Sequence, residues 1–109
     1  MSAAVYLVRH GAAEPPSAGI ADEARNLTAA GTRILAAAAA GLRRLHVVPD
    51  VILVSPLARA LETAQILAHP LAPGVAVQPP PALAPGNPVR AIVALLGEHL
   101  YAEQIVLVG

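Results

Sequence analysis

The sequence contains no cysteine, no tryptophan and no phenylalanine, and only two tyrosines. Without cysteine there are no disulfides and no thiolate metal sites, which fits a reducing compartment. Without large aromatics the core must be built from Val, Leu, Ile and Ala, so it buries little apolar area per residue. Charge of one sign is also missing. Seven basic residues balance seven acidic ones, which gives no electrostatic ground for a nucleic-acid or acidic partner. Nor is there a long apolar run: "ILAAAAAGL" is bracketed by Arg33 and Arg43 and falls well short of the about 20 residues a spanning helix needs. The start, "MSAAVYLV", runs straight into Arg9 without the basic segment and cleavage site of an export signal. These absences lead to the expectation of a single soluble domain, residues 1–109, located in the cytoplasm.

What is present is an alternation. Short β-branched runs, "AVYLV" (4–8), "DVILV" (50–54), "GVAVQ" (74–78) and "QIVLV" (104–108), are separated by Ala/Leu-rich segments at 28–45, 57–68 and 88–100. The runs are continuously apolar, as parallel strands covered on both faces are. The expected fold is therefore α/β: a three-layer α/β/α sandwich around a mostly parallel sheet. Thr28, Ser55 before Pro56, and Asn87 before Pro88 read as the N-caps of the three helices. Residues 12–26 form a polar loop, longer than the usual strand-to-helix connection of about 2–6 residues, and loops of that length tend to be functional. "QPPPALAPGNP" (78–88) reads as a stiff extended segment.

In a parallel α/β sheet, ligands bind beyond the carboxyl ends of the strands. Arg9 and His10 end the first strand there, and Gly11 is expected to let the backbone turn closely against a ligand. Arg59 falls in the first turn of the second helix, where a cation opposes the macrodipole unless an anion sits nearby. Arg9 and Arg59 together read as an anion clamp. The alternative for Arg59 is a pairing with Glu62 or Thr63 on its own helix. His46, His69 and His99 fall at or beyond helix C-termini and read as surface caps, and their spacing suggests no metal site. Glu14 and Asp22 read as solvated loop residues, with lining the mouth of the pocket as the alternative.

"LVRHG", "VSPLARALETA" and "IVLVG", in that order, resemble the histidine phosphatase superfamily, also called phosphoglycerate mutase-like. Within it, "DEARNLTAAG" and "LAPGNP" are similar to segments of the short SixA-type phosphohistidine phosphatases. The resemblance implies a phosphoglycerate mutase-like fold and phosphoryl removal without a cofactor or metal. His10 would be the nucleophile that becomes a phosphohistidine, Arg9 and Arg59 would hold the phosphoryl oxygens, and Arg25 would be a third phosphate contact from the long loop. The implied substrate is a phosphohistidine protein. A small phosphoester acted on by the same fold, or a degenerate phosphate-binding domain with little turnover, are the alternatives. The sequence departs from the family pattern twice. Ala82 stands where many relatives carry a proton-donating Glu, and the sequence stops at Gly109 where the family continues Gly-His. The domain is therefore expected to be incomplete at its C-terminus, its natural continuation supplying that His and further elements. "QIVLV" is expected to leave bare sheet through which the chain self-associates.

Overall fold

The computed structural model describes residues 4–109. The leader reading rests in part on Met1–Ala3, which lie outside the described residues. Strands β1 (Ala4–Val8), β2 (Val51–Val54), β3 (Val77–Gln78) and β4 (Gln104–Val108) alternate with helices α1 (Ala29–Arg44), α2 (Ala58–Leu71) and α3 (Val89–Gly97). Every strand pairing is parallel and the order is β1-β4-β2-β3. Continuous hydrophobicity in β2 and β4 has the expected cause, since both are covered on each face. Ile52, Val54, Val106 and Val108 pack against Ala60, Ala64 and Ala68 of α2. Val51, Leu53, Ile105 and Leu107 pack against Leu95 of α3. Helix α1 lies on the same side as α2, where Ala39 and Leu42 meet Leu67, Leu71 and Val8. This is the three-layer α/β fold.

The last strand of the chain is central. Because β4 runs between β1 and β2, the ends of β1 and β2, which carry Arg9 and lead to Arg59, are not neighbours. For the same reason the bare sheet is not over β4, which is buried from Ile105 to Val108. It is over β1, on the α3 side of the sheet, where Leu7 is 78% and Val5 41% exposed.

Local details correct three further expectations. Thr28 caps α1, its hydroxyl accepting from Gly31 N at 2.9 Å. Ser55 does not cap α2: the helix begins at Ala58 after Leu57, and the buried Ser55 hydroxyl makes only a long bond, 3.4 Å, from Leu57 N. Asn87 does not cap α3 either. Its amide turns back to donate to the carbonyls of Pro81 and Ala84, which closes the proline-rich segment, and Pro88 takes the cap position. Third, β3 pairs over two residues only, because Pro79 and Pro80 follow at once and bring no N–H to a ladder.

Candidate functional site

Hydrogen bonds carry the ladder one step past the strands. Gly109 N donates to Val8 O, His10 N to Gly109 O and Ser55 N to Val108 O, at 2.9, 2.7 and 2.9 Å. His10, Gly109 and Ser55 are thereby aligned along the carboxyl edge of the sheet. The His10 ring is oriented by its own backbone, because Nδ1 lies 2.8 Å from Gly11 O. A carbonyl only accepts, so in the neutral ring the proton sits on Nδ1 and the lone pair on Nε2. Arg59 Nε donates to that Nε2 at 3.3 Å. Strand alternation puts Tyr6, Val8 and His10 on the α1/α2 side, which is where Arg59 descends from α2.

Arg59 is 8% exposed, and the rest of its guanidinium faces the long loop. Nη1 donates to Asp22 O at 2.9 Å and Nη2 to Asp22 Oδ2 at 3.2 Å. The other carboxylate oxygen, Oδ1, accepts from Nε and Nη2 of Arg25 at 2.9 and 2.8 Å, while Arg25 Nη1 donates to Glu14 O. Asp22 therefore bridges the two arginines. The Arg25 guanidinium first, and that of Arg59 second, hold its carboxyl below the usual value. A single 3-10 turn, Asp22–Ala24, presents it. The loop carrying this turn is closed at its base by Glu14 N to Asn26 O and Thr28 N to Ala12 O, and is tied to α2 by Leu27 N donating to Glu62 Oε1.

Neither Glu62 nor Thr63 pairs with the Arg59 guanidinium. Thr63 is fully buried, and its hydroxyl donates to Arg59 O at 2.8 Å while accepting from Gly11 N at 3.1 Å. One side chain thus joins the residue after the histidine to the helix turn that carries the arginine. The absence of a side chain at Gly11 serves packing against α1: a Cβ there would stand 2.7 Å from Leu35 Cδ1. That is a different reason from the ligand approach expected of it.

Of the four site residues expected from sequence, His10 and Arg59 touch, and Arg25 joins them through Asp22. Arg9 does not join them. It lies on the opposite side of β1, along a groove of about 470 Å³ with Leu7, Leu83, Ile92 and Leu107. Ala82 packs against the apolar cluster under α3. Asp22 and Thr63 were not legible as site residues. The signal for Asp22 was its three-residue spacing from Arg25, an ion-pair distance on one turn.

Residues 5–84 match the histidine phosphatase superfamily (branch 1). The chain belongs to that superfamily. Membership makes it a phosphatase domain, and the solved structures agree. A protein of Agrobacterium tumefaciens assigned as the phosphohistidine phosphatase SixA superposes with a TM-score of 0.81 at 28% identity, over 100% of this chain and 70% of its own. The protein histidine phosphatase SixA complexed with tungstate gives 0.83 at 27%, over 96% and 67%. A Nakamurella multipartitia protein assigned as SixA gives 0.83 at 27%, over 100% and 59%. The domain thus spans between 59% and 70% of the length of these three chains. No curated protein matches the sequence.

Proposed function

We propose that this domain takes the phosphoryl group from a phosphohistidine on a partner protein, through a phospho-His10 intermediate, in the cytoplasm. The observation that carries the reading is the His10 ring itself, its proton held on Nδ1 by Gly11 O and its Nε2 lone pair turned toward the Arg59 guanidinium. Nε2 attacks phosphorus as the P–N bond of the substrate breaks, and the leaving imidazole takes a proton from water. Water then attacks the phosphorus of phospho-His10, releasing inorganic phosphate and restoring the ring. Charge on the equatorial oxygens suits guanidinium forks: Arg59 is adjacent to His10 and Arg25 is tied to it through Asp22, while Arg9, on the opposite side of β1, would have to swing over the strand end to contribute. A phosphoramidate is favoured over a phosphomonoester because its leaving group needs less help from an acid, and Ala82 offers none. The structural neighbour that holds tungstate, a tetrahedral oxyanion, supports a phosphoryl site. Among the described residues no helix is long and apolar enough to cross a membrane.

The test is incubation with a phosphohistidine protein beside p-nitrophenyl phosphate. The expected result is preferential dephosphorylation of the protein, with an acid-labile, alkali-stable adduct on His10 that disappears in His10→Ala. Equal labelling of His46, His69 or His99 in that variant sinks the assignment. Faster turnover of the phosphomonoester points instead to a small-molecule phosphatase, and binding without turnover to a degenerate phosphate-binding domain.

A further inference from the structure

In this structure Arg59 already holds an anion. Its Nη1 and Nη2 donate to the carbonyl and carboxylate of Asp22, and its Nε donates to the lone pair with which His10 would attack. The two groups a phosphoryl ligand needs, the fork and the nucleophile, are both satisfied by the protein. A buried guanidinium near a helix N-terminus with no counter-charge would be costly, so Arg59 gains from a carboxylate supplied by the protein itself. A carboxylate on a guanidinium fork also presents oxygens much as a phosphoryl group does.

We infer that Asp22 is a resident anion that competes with the phosphoryl group for Arg59, so that substrate enters by displacing the Asp22 side chain. The residue is placed for this. Its side chain is 61% exposed, and the turn Asp22–Ala24 buries none of its own residues, so release needs little repacking. Arg25 grips Oδ1 with two N–H groups and gives the released carboxylate somewhere to stay while Oδ2 leaves Arg59. Between turnovers the same carboxylate keeps Arg59 on the nucleophile. Asp22 therefore sets phosphoryl affinity through Arg59, as a positioning residue that touches no reacting atom.

The inference rests on the phosphoryl site proposed above, and its test separates the two. Tungstate binding is measured calorimetrically on the full 109-residue chain and on Asp22→Asn and Asp22→Ala. Both variants should bind tungstate more tightly, by about tenfold if the open site is populated about a tenth of the time in the parent. A merely structural role predicts the reverse, since losing Asp22 would then let Arg59 wander. Equal or weaker binding in both variants overturns the competition alone. No tungstate binding by any of the three proteins overturns the phosphoryl site, and the competition with it. A crystal structure with tungstate supplies the second readout: oxyanion oxygens should replace Asp22 Oδ2 on Arg59, and tungstate beside His10 with that pair intact would refute displacement.

Discussion

Arg59 Nε stands 3.3 Å from His10 Nε2, so a cation of α2 is held against the lone pair of a residue 49 positions earlier in the chain. The strand end supplies the imidazole, the helix supplies the charge, and Thr63 fastens one to the other. Replacing Arg59 by Ala should weaken oxyanion binding by about 1.5–3 kcal/mol, the range for hydrogen bonds to a charged group. Arg59→Lys should not restore it, because an ammonium lacks the fork that reaches His10 and an oxyanion together. Calorimetry with tungstate reads both variants, and full affinity in the lysine variant would show that charge alone suffices.

Thr63 offers a test of that fastening. Thr63→Val keeps the shape but leaves the part-buried Gly11 N–H without its acceptor and Arg59 O without the hydroxyl, a loss of about 1–3 kcal/mol in unfolding free energy. Thr63→Ser keeps the hydroxyl and should lose less. Urea unfolding decides the point, and a Val variant as stable as the parent would mean that Gly11 N–H finds another partner.

Two glycines of α1 should respond to alanine with opposite signs. At Gly31 a Cβ would stand 2.6 Å from Ala12 O, the carbonyl that receives Thr28 N, so the base of the loop must shift. Gly31→Ala should destabilise by about 1–3 kcal/mol, the usual cost of overpacking. At Gly41 nothing lies within 4 Å, so Gly41→Ala should stabilise by about 0.5–1 kcal/mol through helix propensity. Thermal melts of the two variants, moving in opposite directions, are the expected result.

The Asp22 bridge predicts a pH dependence whose sign follows from its lowered carboxyl pKa. A carboxyl depressed in the folded state stabilises fully above its ordinary value of 3.8, and that contribution is lost as pH falls through the depressed value. The difference in urea midpoint between the parent and Asp22→Asn should therefore be constant from neutral pH down to that region and then close. A difference that grows on acidification would place the charge elsewhere.

The layers were legible in the sequence because β2 and β4 must be apolar on both faces, and β1 and β4 fall at the residues read for them. His10 and Arg59 were legible because each terminates or opens an element at the carboxyl edge. Strand order was not, since the same alternation permits β4 at an edge or in the centre. Asp22 was hidden for a related reason. A carboxylate on a polar loop looks solvated until the loop is folded back on α2, and that fold depends on Glu62 accepting from Leu27 N, a bond between segments 35 residues apart. Arg9 shows the reverse limit: adjacency to His10 in sequence sends it to the other side of the strand.

The uncovered side of β1 leads to the last prediction. Val5 and Leu7 point away from α1 and α2, Leu7 is 78% exposed, and it lines a groove with Leu83 and with Ile92 of α3. Among the described residues β1 pairs only with β4, so its other edge carries unpaired backbone groups beside this apolar patch. A strand edge next to exposed apolar side chains is a template for a second copy. The domain should associate reversibly with rising concentration in sedimentation velocity. Leu7→Lys should weaken that association, since burying a leucine is worth about 1.5–3 kcal/mol and each protomer would contribute one. That is roughly a tenfold or larger rise in the dissociation constant. The substitution leaves His10 and Arg59 untouched on the opposite side of the strand, so tungstate affinity should not follow it. A parent chain that stays monomeric at all concentrations, or a lysine variant that associates as strongly, would show that the exposed face of β1 is not where copies meet.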